Sequence, residues 1–400
     1  MMMDKLPFAE PEEVGMSRER LQRIGPMIKG YVEKNLIPGA VTMVARDGKI
    51  VHFEAQGHQN AEKKIPMTRE TIFRIASMTK PITSVALMTL YEEGRFQLGD
   101  PIYKWLPAFK DSQVAVYNGG RGYDMAPADP PINVMHILTH TAGFPTEYNP
   151  KNQELYKEAA KFKSRKEVIG DFVDRLAAVP LNNHPGAMWD YSRATCVVGR
   201  LVEVLSGQTL AEYLKEKIFG PLDMVDTHFF LPEEKLGRFA AAYTPGQNKE
   251  ITLVDPDTSS SFWLSKPGIY YMGSGGLVST AADYFRFTDM LMNGGKRGDA
   301  RILSRKTVEL MTMNHIGEKP VWLTGPGNGF GLGFGVTLDR GKTHNMVSEG
   351  SYTWGGAFCT YWWNDPKEKL FGMMLTQVRP YDHLNIRADM QTLVTQAIND

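Results

Sequence analysis

The sequence predicts an α+β fold: an antiparallel sheet flanked by helices, with a mainly helical region spliced into it. Three observations carry this. Strand-like segments gather near both ends of the chain, helix-like segments with 3.6-residue apolar spacing gather between them, and loops rich in Pro, Gly and Asn separate the helices. The expected division is a discontinuous sheet domain of residues 1–76 and 265–400 and a mainly helical domain of residues 77–264, with the site in the cleft between them.

The first strand pair is predicted by "GAVTMVARDGKIVHFEAQG", where apolar and polar residues alternate on both sides of Asp47-Gly48. Asp-Gly readily supplies the positive φ values of a type I′ hairpin turn. Helices follow at "PITSVALMTLYEEG", "KEVIGDFVDRLAAV" and "TCVVGRLVEVLSGQTLAEYLKEKIF". Near the C-terminus "GFGLGFGVTLD", "GGAFCTYWWND" and "LFGMMLTQV" read as strands, with "NDPKEK" as the last turn, and "LNIRADMQTLVTQAIN" reads as a closing helix. Both ends are expected to share one sheet. No internal repeat or low-complexity segment interrupts the pattern.

Composition narrows the function. The chain has 400 residues, 42% hydrophobic and 22% charged, enough for a large core. Its 45 basic and 45 acidic residues balance, with no run of five like charges, which argues against nucleic acid or an anionic membrane as partner and leaves a small neutral molecule as the default substrate. "MMMDKLPFAEPEEVG" lacks the apolar stretch of a secretory signal and no span of about 18 apolar residues occurs, so a soluble, cytoplasmic protein is expected. Cys196 and Cys359 are too few for a disulfide framework and lack metal-ligand spacing; both are expected to be buried free thiols.

The stretch "ASMTK" is where chemistry enters. Ser77 and Lys80, at i and i+3, lie on one helical face, so an amine can take the proton that keeps a serine hydroxyl a weak nucleophile. Pro81 sets the helix start close to Ser77, because proline fits the first turn and not the interior. A helix N-terminus adds a positive field and free N–H groups that suit an oxyanion. Since Lys80 precedes the proline, distortion of that first turn is expected. This is the sole S-x-x-K in the chain.

Two further segments give the motif company. "WDYSRATCVVGRLVEVLSG" sets Tyr191 on a loop ahead of a helix, and "SEGSYTWGGAFCTYWW" sets Trp354-Gly355-Gly356 at the start of an expected edge strand, where two glycines allow close approach of a ligand. In this order, "SMTK", "YSR" and "WGG" resemble the motif set of the serine β-lactamase and penicillin-binding-protein superfamily. With W-G-G in place of K-T-G, and with "TIFRIASMTKPITSVALMTLYEEG" and "MHILTHTAGFP", the chain is similar to the class C β-lactamase-like esterases called family VIII carboxylesterases.

The resemblance implies a β-lactamase/transpeptidase-like fold and a serine carboxylesterase without metal or cofactor, acting on a small-molecule ester of short or medium chain. It implies Ser77 as the acylated nucleophile, Lys80 and Tyr191 sharing general-base and general-acid work, and an oxyanion hole from the N–H groups of Ser77 and Ala357. Trp354, Gly355, Gly356 and Arg193 become the expected substrate-binding residues. The departures point away from β-lactams: Arg193 stands where class C enzymes carry an amide-holding asparagine, and Trp354 where they carry the lysine that assists carboxylate recognition. A β-lactamase, a D-amino-acid peptidase, an acyltransferase and a non-catalytic relative are the alternatives.

Other signals are set aside. His136 and His140 in "HILTH" sit at i, i+4 as in zinc-binding helices, but the glutamate of H-E-x-x-H is missing, so a structural role is expected. "GPGNGFGLGFG" never spells the dinucleotide fingerprint, and no G-x-S-x-G elbow occurs. "KTH" at Lys342-Thr343-His344 is expected to be a loop. Trp105, Trp189, Trp263, Trp322, Trp362 and Trp363 are candidates for an acyl pocket, with core filling as the plainer role.

Overall fold

The computed structural model describes residues 6–120, 122–148, 151–161, 163, 164, 166–255 and 269–400. Eight strands form one antiparallel sheet: β1 (Gly39–Arg46), β2 (Lys49–Asn60), β3 (Ile65–Pro66), β4 (Asn328–Phe330), β5 (Gly335–Thr337), β6 (Tyr352–Gly355), β7 (Tyr361–Asp365) and β8 (Leu370–Leu375). Their spatial order is β4-β5-β6-β7-β8-β1-β2-β3, so the two ends of the chain meet where β8 pairs with β1. Asp47 and Gly48 hold φ of 51° and 72° at the β1–β2 turn, as the Asp-Gly signal requires.

Both faces of this sheet are covered, which explains why β1 is buried along its whole length despite its alternating pattern. Val41, Met43 and Ala45 point into the main core beside Phe285 of helix α4, whereas Ala40 and Val44 point into a second core beside Ile24, Ile28, Met390 and Val394. The helices are α1 (Ile24–Glu33), α2 (Thr79–Glu92), α3 (Ala194–Ser206), α4 (Ala281–Met292) and α5 (Ile386–Thr395). Thus α1 and α5 cover one face and α4 the other.

In the expected helical region, α2 is buried from Thr79 through Met88, a central helix rather than an amphipathic one. It packs on α3. The third predicted helix is two: Gly207, at φ 74°, ends α3, and a second helix starts at Leu210, capped by Thr209 and Glu212. Two hairpins, Gln113–Tyr117 with Tyr123–Pro127 and Ala242–Pro245 with Ile251–Asp255, also lie in this region, and the expected boundary near 265 falls outside the described residues.

Three strand readings need correction. "GFGLGFGVTLD" is a hairpin, not one strand, because Gly331 donates to Phe334 O at 2.7 Å and Gly333 turns at φ 98°. A Cβ at Gly333 would stand 2.4 Å from Ser84 Oγ, so the glycine lets this hairpin rest on α2. "GGAFCTYWWND" is a turn leading into β7. Trp354 and Gly355 end β6, an interior strand paired on both sides, rather than opening an edge strand. "KTH" begins within a short helical turn, Arg340–Thr343, capped by Asp339. Among the described residues no helix is long and apolar enough to cross a membrane.

Candidate active site

Ser77 sits in a 3-10 turn, Ala76–Met78, that runs straight into α2. Ala76 takes φ 43°, whereas Lys80, the residue ahead of Pro81, keeps its place in α2, so the unusual backbone precedes the helix instead of distorting its first turn as expected. The turn is pinned from far along the chain. Ile75 N donates to Leu277 O at 3.2 Å, Leu277 N to Thr79 Oγ1 at 3.1 Å, and Thr83 Oγ1 to Gly273 O at 2.8 Å.

One hydroxyl collects two donors. Lys80 Nζ lies 3.2 Å from Ser77 Oγ, and Tyr191 donates its hydroxyl to the same oxygen at 2.7 Å. Lys80 is buried, also donates to Ser274 O at 2.7 Å, and stands 4.6 Å from the Tyr191 ring centroid. The structure therefore brings together the three residues expected to carry the chemistry. Ser274 was missed: a serine in a glycine-rich run gives no spacing signal. Its own hydroxyl accepts from Cys196 Sγ at 3.1 Å, which places one of the two buried free thiols just behind the lysine.

Tyr191 is held by an aromatic shell. Its ring centroid is 4.9 Å from that of His140, 5.3 Å from Trp354 and 6.0 Å, stacked, from Trp189. His140 is not on a helical face with His136, because the helix Val134–Leu138 ends before it and His140 turns at φ 57°. Its Nδ1 accepts from Ser192 N at 3.3 Å, and complete burial, aided by the Lys80 charge, pushes its pKa well below the usual histidine value. A neutral imidazole thus braces the loop that carries Tyr191.

The W-G-G residues do different work from that expected. Trp354 is buried. It is 5% exposed and its Nε1 donates to the Tyr191 hydroxyl at 3.3 Å, so it backs the tyrosine from inside the protein. The glycines face protein rather than ligand: a Cβ on Gly355 would come within 2.8 Å of Arg387, and one on Gly356 within 2.4 Å of Ile75 O. Arg387 donates to Gly356 O and Thr360 O at 2.7 and 2.8 Å, clamping the turn after β6 against the segment before Ser77.

A cavity of about 170 Å³ opens above Ser77, its described walls including Lys80, Tyr191, Arg193, Ser274 and Ala357, with Glu147, Tyr148, Met272, Phe358 and Arg379. Trp354, Gly355 and Gly356 stand behind that wall. Arg193 does line it, its guanidinium carbon 5.6 Å from the Phe172 ring. Arg379, which follows β8, went unnoticed in the sequence. Of the tryptophans, Trp189, Trp362 and Trp363 are core residues, Trp322 is exposed beside Trp189, Trp105 packs on Phe96, and Trp263 lies outside the described residues.

The geometry agrees with what the chain is similar to. Residues 26–396 match the family described as Beta-lactamase. The chain belongs to the beta-lactamase family. Among curated relatives of this beta-lactamase-family chain, Protein Rv1367c of Mycobacterium tuberculosis is 32% identical over 88% of this chain and 89% of its own length. Esterase EstB of Burkholderia gladioli is 30% identical over 86% of each. The solved structure of EstCE1, a hydrolase with promiscuous acyltransferase activity, covers 94% of this chain and 99% of its own at a TM-score of 0.81 and 26% identity. The protein is a serine hydrolase with the β-lactamase/transpeptidase-like fold.

Proposed function

We propose that the enzyme is a carboxylesterase that hydrolyses short- to medium-chain esters through an acyl-enzyme on Ser77. One observation carries the reading: both Lys80 Nζ and Tyr191 OH converge on Ser77 Oγ. Ser77 Oγ bonds to the ester carbonyl carbon while its proton passes into the Lys80–Tyr191 pair. The bond to the alcohol then breaks and the alcohol leaves with that proton. Water repeats the cycle on the acyl-enzyme, releasing the acid and returning the proton to Ser77. Negative charge developing on the Tyr191 oxygen meets the Trp354 N–H and the nearby Lys80 ammonium.

The carbonyl oxygen needs donors of its own. Among the described residues the N–H groups of Ser77 and Ala357 donate to no protein acceptor, and both residues line the cavity, which supports their assignment to the oxyanion hole. The modest cavity supports a short or medium acyl chain, and the likeness to Esterase EstB supports ester over amide. Acyl transfer to an alcohol is the second reading, favoured by the likeness to EstCE1.

The test is covalent labelling. A fluorophosphonate adduct mapped by mass spectrometry is expected on Ser77, with loss of p-nitrophenyl ester turnover in Ser77→Ala. An adduct elsewhere, or full activity in that variant, overturns the assignment. Adding an alcohol and quantifying new ester against free acid decides between hydrolysis and transfer.

A further inference from the structure

The described wall of the Ser77 cavity bears three cationic side chains, Lys80, Arg193 and Arg379, against one carboxylate, Glu147, a net of two positive charges. Lys80 is engaged with Ser77 and Ser274. The two arginines are not: among the described residues neither guanidinium forms an ion pair or a hydrogen bond. Arg379 is exposed, where an unpaired guanidinium is ordinary, but half-buried Arg193 differs from the buried arginines elsewhere. Arg46 faces Asp400 and Glu368, Arg74 faces Asp255, and Arg286 faces Asp283. Guanidinium groups withdrawn from bulk water are ordinarily matched by carboxylates, because an unmatched charge keeps its desolvation penalty. Arg193 is half-buried against the Phe172 ring, and although Tyr156, Cys196, Tyr270 and Glu147 lie within electrostatic reach, it forms no ion pair with the carboxylate.

Arg379 faces the same space, its backbone N–H held by Tyr243 O at 2.9 Å. Both forks are therefore free to bind a planar anion beside the nucleophile. Glu147 on the same wall opposes a second negative charge, so the complementary ligand is a monoanion.

We propose that the substrate is an ester that itself carries one carboxylate, held by Arg193 and Arg379 while Ser77 attacks the ester carbonyl. This rests on the esterase reading and narrows it to monoanionic esters. It adds no chemical step. The arginines supply binding and register, and therefore a salt-sensitive preference among substrates.

The experiment compares mono(4-nitrophenyl) glutarate with 4-nitrophenyl valerate, alike in chain length but for the carboxylate. The glutarate is expected to have the higher kcat/KM by at least about tenfold, shrinking towards parity in Arg193→Gln, in Arg379→Gln and in high salt. Acetyl esters of 4-hydroxybenzoate and of phenol repeat the comparison with the carboxylate on the alcohol side. A preference in either pair that the variants abolish supports the proposal. Parity in both pairs, or a preference that both arginine variants leave intact, overturns it. Binding to Ser77→Ala, followed by tryptophan fluorescence, makes the same comparison without turnover, so a wrong nucleophile is distinguishable from a wrong substrate. Equal affinity of that variant for the charged and neutral esters also overturns the proposal.

Discussion

Trp354 Nε1 donates a hydrogen bond of 3.3 Å to the Tyr191 hydroxyl, while that hydroxyl donates to Ser77 Oγ at 2.7 Å. The tryptophan of the W-G-G motif is thereby one bond removed from the nucleophile. Trp354→Phe keeps an aromatic ring, smaller than the indole, and deletes the N–H. It is expected to lower kcat by about tenfold, the scale of one hydrogen bond to a group that becomes charged, with little change in KM. The pH profile of kcat should move with it. An unchanged kcat and profile would reduce Trp354 to packing.

Lys80 and Tyr191 meet at one oxygen, so their removal should look alike. Tyr191→Phe and Lys80→Ala are each expected to lower kcat by about 10² or more, and the double variant by much less than the product of the two. Steady-state kinetics on folded proteins, checked by circular dichroism, decide this. Independent, multiplying losses would mean that the two do not act on one proton.

Gly356 has no room for a side chain. A Cβ there would stand 2.1 Å from Thr360 Oγ1 and 2.4 Å from Ile75 O. Gly356→Ala is expected to push the Ala357 turn away from Ser77 and to reduce kcat more than the loss of thermal stability explains. Gly30, where a Cβ meets nothing within 4 Å, is the control. Activity that survives Gly356→Ala would show that the turn can shift without disturbing catalysis.

Stability should fall on the acid side. Burial lowers the pKa of His52, His136 and His228 from 6.5 to about 4, and holds that of His140 well below 6.5. Folded histidines stay neutral where unfolded ones take a proton, so their contribution is complete above about pH 6.5 and is lost as pH falls towards 4. Asp283, raised from 3.8 to about 6 by burial, works in the opposite sense over the same range, as do Asp190 and Asp289, which burial also raises. Four histidines against these three carboxyls predict a Tm lower near pH 4.5 than near pH 7. Thermal melts across that window test it, and a flat profile refutes it.

A preference for p-nitrophenyl butyrate over a chromogenic cephalosporin of at least about 10² in kcat/KM is expected on different grounds. Arg193 and Arg379 can hold a cephalosporin's carboxylate, but the expected preference is for the ester carbonyl over the lactam amide, and the Trp354 indole is turned towards Tyr191 instead of the ligand. Parallel assays measure the ratio, and a value near one would make the enzyme a β-lactamase in practice.

What could be read in advance follows from how local each signal is. Ser77 and Lys80 are three residues apart on one helix start, and Pro81 marks that start, so their meeting is written in a few adjacent letters. Tyr191 was legible only through the ordered motif set. The direction of Trp354 was not legible, because a strand's inward and outward positions depend on its neighbours, and β6 proved to have one on each side. Ser274 and Arg379 come from loops without periodicity. The hairpin at residues 328–337 was hidden because its turn is Gly-Leu-Gly-Phe, apolar enough to pass for strand.

The pinning of the turn around Ser77 has a consequence in time as well as in space. Ser77 meets Tyr191 across 114 residues of chain, Lys80 meets Ser274 across 194, and Thr360 reaches Ile75 across 285. Such long loops close late in folding, after local helices have formed. A growing or refolding chain therefore carries an inert serine until its last third arrives. Recovered ester turnover should lag recovered helical signal, making activity a clock for the final closure of the sheet.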